Sequence, residues 1–312
     1  MDAIAGLRLG PFEYTTVQAL RDEGIMGVDL GEARARQLIR QKSQIVNEFT
    51  EQWFAPVRGT ALVDGRDSKL VFLPNSIDIL HLEELRLVDR GFEEESAAGY
   101  VVDPREYVVQ SRWVELIDIV FRRSLITPGT PIGVDPYGAH RVERGPARVF
   151  PAIPLCVKLK GAFGHLVETR TPWGTVTAAD ISTTDVSTTL AGAAANLSVG
   201  EVLVFGSGDT CQRAIITKIG PGDTVTFPTL DRAVPAGTEF RVYGRIPRAV
   251  EQATQILVYL ERCPPFAKTH PFQDAVLAPG GGGAIASGIS TGSMKADLLL
   301  SQYVAPPIPR LV

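Results

Sequence analysis

Cysteine is scarce and poorly spaced for chemistry. Cys156, Cys211 and Cys263 are odd in number and far apart, so they read as buried free thiols in a reducing compartment, not as a disulfide framework or a metal cluster. Histidine is equally thin. His81, His140, His165 and His270 stand alone, at no metal-ligand spacing to one another or to cysteine. No apolar run approaches the roughly 20 residues of a membrane span, so no membrane contact is expected. The first residues show no basic region followed by an apolar stretch, and no signal peptide is expected. Positive charge is not in excess. A formal net charge of −4 argues against a dedicated nucleic-acid binder, which shows a basic face, but leaves room for a surface that nucleic acid slides past.

Catalytic patterns are missing as well. Gly288-Ile-Ser290-Thr-Gly292 has the form of a nucleophile elbow. It follows a glycine run instead of a strand, and the last histidine, His270, lies upstream of the serine, where that fold needs one downstream. Gly206-Ser-Gly208-Asp-Thr-Cys211 lacks the third glycine and the following helix of a dinucleotide loop, and no Gly-Lys-Ser or Gly-Lys-Thr completes a P-loop. Asp64 and Asp67 have the chemistry of a carboxylate pair, but Asp beside Gly is more commonly a turn residue. Asn196-Leu-Ser198 is a glycosylation pattern only in a secreted chain. No enzyme activity, cofactor or metal is expected.

What is present is regular structure. A length of 312 residues fits two domains, or one with a large insertion. In Arg245–Cys263, Pro247 suits a first helical turn. Val250, Ala253, Leu257 and Leu260 then fall on one face, and Pro264-Pro265 stops the helix. Upstream, Asp29-Leu-Gly-Glu32 starts a helix running to Phe54, with Ala35, Leu38, Ile39, Ile45, Val46, Phe49 and Trp53 on one stripe. Arg34, Arg36, Arg40 and Lys42 read as its solvated face. Thr15 or Thr16 caps a short helix through Asp22, stopped at Gly24. Met1 to Pro11 read as an arm.

From Thr60 the period becomes two. Leu62-Val63 and Leu70–Leu73 predict a hairpin around Asp64-Gly-Arg-Asp67. Further strands are expected at Ile79–Val88, Tyr107–Val109, Val114–Phe121 and Cys156–Gly164. The stretch from Thr127 to Pro151, rich in Pro and Gly, reads as a long loop. Between about Glu168 and Tyr243, short strands alternate with glycine turns, which suggests a small barrel or sandwich. Its aromatics, Trp173, Phe205, Phe227, Phe240 and Tyr243, are spread out and read as core. After the Pro247 helix come a Pro279–Gly283 linker and a last helix capped by Ser290 or Ser293. An extended arm carrying Tyr303, Pro306, Pro307, Pro309 and Arg310 follows. The expected architecture is α+β: a helical domain with small β elements, 1–165 and 246–312, interrupted by an inserted β module at 166–245. Leu38, Phe49, Trp53, Phe163, Val250 and Leu257 are its expected core.

The order of parts resembles the head–tail connector (adaptor) proteins of long-tailed bacteriophages. The resemblance is carried by the helix ending Glu51-Gln-Trp-Phe54, by Thr60-Ala-Leu-Val-Asp-Gly-Arg-Asp67 with Lys69-Leu-Val-Phe-Leu-Pro74, and by Lys158-Leu-Lys-Gly-Ala-Phe-Gly164. The Pro247 helix and Ser290–Tyr303, with its Leu-Leu-Leu-Ser-Gln-Tyr ending, complete it. It covers roughly 14–125, 155–165 and 246–305. The segment 166–245 and the Thr127–Pro151 loop depart from the family's compact pattern. The resemblance implies a structural virion protein, a ring of twelve copies in the neck between capsid portal and tail. The C-terminal arm would dock on the portal protein and the opposite face would meet a stopper or tail-completion protein. Double-stranded DNA would pass through the ring without sequence-specific binding. The other readings are a different neck, tail-completion or decoration protein, or a carbohydrate-binding β module.

Overall fold

The computed structural model describes residues 7, 12–26, 30–73, 77–88, 99–110, 112–116, 149–150, 152, 154–166, 168–262 and 291–304. The arm prolines Pro306, Pro307 and Pro309, Arg310, Cys263, His140, His270, the linker at 279–283, Ser290 and nearly all of the 127–151 stretch fall outside those residues.

Two helices open the chain. α1 (Val17–Asp22) is capped by Thr16, whose hydroxyl accepts from Ala19 N at 3.1 Å, and Gly24 closes it at φ +69°. α2 (Glu32–Thr50) ends where Glu51 turns left-handed at φ 55°, short of the predicted end at Phe54. The strands then build four antiparallel sheets. β1 (Val57–Val63), β7 (Val157–Phe163), β3 (Ile79–Val88) and β4 (Gly99–Val101) form the first, in that order. β2 (Leu70–Phe72), β6 (Trp113–Leu116) and β5 (Tyr107–Val109) form the second.

In the insert region, β11 (Gln212–Ile215), β10 (Glu201–Phe205), β14 (Phe240–Arg245) and β8 (Glu168–Trp173) make a third sheet. β12 (Lys218–Ile219), β13 (Thr224–Thr226) and β9 (Ser187–Thr189) make a fourth. A short α3 (Ala193–Asn196), α4 (Arg248–Arg262) and α5 (Met294–Leu300) complete the described elements.

This overturns the expectation of a helical domain. The described residues are mostly antiparallel sheet, the helices cover it, and no barrel closes among them. The reason lies in pairing range. β7 joins β1 on one side and β3 on the other, so Val157 faces both Val63 and Leu87. Local periodicity registers a helix within one window, whereas a sheet assembled across about a hundred residues leaves no such signature.

The predicted hairpin fails for a related reason. β1 and β2 lie in different sheets. The carboxylates of Asp64 and Asp67 instead accept the backbone amides of Leu155 (2.8 Å) and Ala152 (3.0 Å), and Ser68 bridges Phe150. These aspartates hold Ala152 and Leu155 rather than turn a hairpin.

Glycine decides the centre of the first sheet. A Cβ on Gly161 would overlap the carbonyl of His81, where β3 slips register against β7. Gly164, at φ +152°, packs on the Ala55 backbone.

Three apolar clusters result. The largest joins Phe49, Trp53, Phe54, Ala61, Val71, Leu159, Phe163, Val250, Leu257 and Leu300. A second lies within the insert region and includes Leu203, Phe205, Phe227, Phe240 and Val242. A third holds Leu20, Ala35, Ile39, Val258 and Tyr259. β10 is buried along its whole length: Val202 and Val204 point to the first cluster, Leu203 and Phe205 to the second, as the period of two requires. α4 likewise serves two interiors, with Val250 and Leu257 on one side and Val258 and Tyr259 on another.

Candidate functional site

The core residues expected from sequence fall as follows. Phe49, Trp53, Phe163, Val250 and Leu257 share the largest cluster, each at 4% exposure or less. Leu38 is half-buried against the third. Phe163 and Leu257 thus meet in one interior although nearly a hundred residues separate them.

Tyr303 is the only member of the expected docking arm among the described residues, and it has a structural role there. Ser293 caps α5 by accepting from Ala296 N at 3.3 Å, and Thr291 donates its backbone amide (2.9 Å) and hydroxyl (2.5 Å) to Asp297. This fixed helix delivers Tyr303 onto Phe54 (ring centroids 5.4 Å) and His165 (5.9 Å), both edge-to-face. His165 is itself held. Its Nδ1 bonds Asp78, its backbone amide donates to Trp53 O at 2.7 Å, and Arg112 Nε reaches the other Asp78 oxygen at 3.1 Å. The tyrosine therefore roots the chain that leads into the arm. His81 is exposed on β3, and Asn196 is exposed with its amide on Gly192 O.

A second site was not legible in the sequence. Phe12–Thr16 form a buried strap across α2. Arg36, Arg40, Ser43 and Asn47 recur along one side of α2 at helical spacing, and the strap lies along that stripe. Glu13 Oε1 accepts from Arg36 Nε (2.7 Å) and Arg40 Nε (2.9 Å). Tyr14 N donates to Ser43 Oγ at 3.0 Å, and its phenol bonds Asn47 and accepts from Phe54 N at 3.1 Å. The solvated-face reading of these arginines is thereby corrected. Arg36 and Arg40 reach on to Thr229 (2.6 Å) and Asp231 (2.6 Å) of the insert region, and Lys42 pairs with Glu261 at 3.0 Å. The signal that could have found the strap is the polar stripe itself, set in a helix whose neighbouring positions are apolar.

The strap, α2, β11 and the 228–232 loop enclose a cleft of about 270 Å³. Arg213 lies on its wall, with its guanidinium over the rings of Phe12 (5.3 Å) and Trp53 (5.5 Å). Burial raises the pKa of Glu13, opposed by Arg36 and Arg40, and burial lowers that of Arg213. Burial also raises the Cys211 thiol, which keeps it protonated and unreactive. On β1, Arg58 bridges Glu83 (2.8 Å) and Glu239 (2.6 Å), a further link to the insert region.

Phe205, Phe227, Phe240 and Tyr243 are buried and Trp173 packs edge-on against Phe240, so among the described residues these aromatics offer no flat exposed platform. No cluster of three or more metal-binding side chains occurs among the described residues, and no described helix is long and apolar enough to cross a membrane. Neither the models of known protein families nor the curated proteins include a match to this chain.

Proposed function

We propose that this chain is a structural virion protein, a ring-forming head–tail connector between the capsid portal and the stopper or tail of a long-tailed phage. One observation carries the reading. The segments that hold the resemblance, at 52–54, 60–73, 158–164, the Pro247 helix and 294–303, all contribute to a single apolar cluster. The segment 166–245, which departs from the family pattern, forms a second cluster and lends Val202, Val204 and Tyr243 to the first. Motifs scattered over the chain thus share one interior, and the departing segment packs against it through β10 and β14.

In this reading the ring joins one patch of each subunit to a different patch of its neighbour, so closure depends on a fixed rotation. The segment after Tyr303 reaches the portal. DNA passes through a channel that does not hold it, since neutralising many phosphates would bind it tightly.

The test is direct. The purified chain, monomeric or weakly associated alone, is mixed with isolated portal rings and imaged. Annular density against one end of the portal supports the reading. Absence of association, or location of the chain elsewhere on the particle, ends it.

A further inference from the structure

The cleft between the strap and the insert region plays no part in the connector reading. Its described walls bring four guanidiniums (Arg36, Arg40, Arg213 and Arg232) against three carboxylates (Glu13, Asp209 and Asp231). That is a local positive surplus in a chain of net charge −4. The groups are also pre-positioned. Arg36 and Arg40 are aligned by Glu13, whose side chain is only 10% exposed. Arg213 lies on two aromatic rings, and one of them, Trp53, has an indole N–H with no acceptor among the described residues. Asp231 is the displaceable partner, at 52% exposure. Arg232 stands at the exposed rim, with one guanidinium nitrogen on Asp209 O at 3.2 Å.

We propose that this cleft binds a small ligand bearing oxyanion groups, carboxylate or phosphate, gripped by Arg213 and Arg232 from the insert side and by Arg36 and Arg40 from the helix side. A planar guanidinium presents paired donors that match either oxyanion, and stacking on rings fixes its plane in advance. The low dielectric that disfavours the Arg213 and Glu13 charges strengthens an attraction to an added anion. A ligand of this kind displaces Asp231 from Arg40 and so touches the joint between α2 and the insert region. The size of the cleft limits it to a compact molecule.

The full chain is titrated separately with citrate and with inorganic phosphate, at ionic strength matched with chloride, by calorimetry and by thermal shift. Saturable binding of either anion is expected, and which one binds identifies the oxyanion class. Arg232→Gln and Arg213→Gln should each weaken it at least about tenfold, the effect of one charge-assisted hydrogen bond. Arg105→Gln, on the β5 side of the molecule, should leave it unchanged. No saturation beyond the chloride control overturns the proposal, and so does unaltered binding in Arg232→Gln, which decides alone if Arg213→Gln fails to fold. Failure here leaves the connector reading untouched, because neither depends on the other.

Discussion

The phenol of Tyr14 bonds the side-chain oxygen of Asn47 inside the protein, and the same oxygen atom of the tyrosine accepts the backbone amide of Phe54. One hydroxyl therefore joins the strap, the helix and the chain leaving the helix. Tyr14→Phe keeps the ring but leaves a buried amide and a carboxamide without their partner. A loss of about 1–3 kcal/mol is expected, read by urea denaturation. A loss below the error of that measurement would show the strap to be held by packing alone.

Gly161 tests the first sheet. Gly161→Ala places a methyl carbon against the His81 carbonyl, and should cost about 3 kcal/mol or more, or prevent folding, since backbone cannot step aside as a side chain does. Gly31→Ala, with nothing near its added carbon, should cost no more than about 1 kcal/mol, the preference for glycine over alanine at the N-cap of α2. Comparable soluble yields and melting temperatures for the two would contradict the β3–β7 register.

Tyr303 and the segment beyond it should separate experimentally. Tyr303→Ala removes the contacts to Phe54 and His165 and should lower stability by about 1–3 kcal/mol. Truncation after Val304 spares those contacts. It should leave the melting temperature unchanged and, in the connector reading, weaken attachment to the portal. Attachment that survives the truncation would move the docking surface elsewhere.

Two glutamates give opposite pH dependences. For Glu239, burial pushes the pKa up, but the Arg58 and Arg241 guanidiniums outweigh it and the net shift is down. Its contribution is present above the ordinary value of 4.5 and is lost as pH falls through the lower folded value. For Glu13, burial dominates and the net shift is up. Its contribution is present at low pH and is lost as pH rises through the higher folded value. Denaturation midpoints between about pH 3 and pH 7 should therefore lose their acid limb in Glu239→Gln. In Glu13→Gln the decline on the alkaline side should lessen. Identical profiles in the two variants would contradict both assignments.

The legible parts of this protein were those whose cause is local. The Thr16 cap, the Gly24 stop, the α2 stripe and Pro247 before α4 all act within a turn or two, and each helix forms where its residues place it, α2 stopping at Thr50 instead of Phe54. What the sequence hid was partnership. Leu62-Val63 reads as a strand in a hairpin with Leu70–Leu73, and nothing nearby says that β1 pairs with 157–163 instead. The strap residues Glu13 and Tyr14 show no period, because a segment buried by crossing a helix needs none. Their partners were visible only as arginines, which on a helix are usually solvated. The Tyr303 contact was hidden likewise, since an aromatic before a proline-rich tail suits an arm as well as an anchor.

β10 is a party wall: two rooms are built against opposite sides of the same five residues. An insertion or deletion of one residue there would hand each room the other's furnishings, since side chains alternate and an odd slip inverts them. Two independent halves could melt one after the other. Halves that share a wall should come apart in one event.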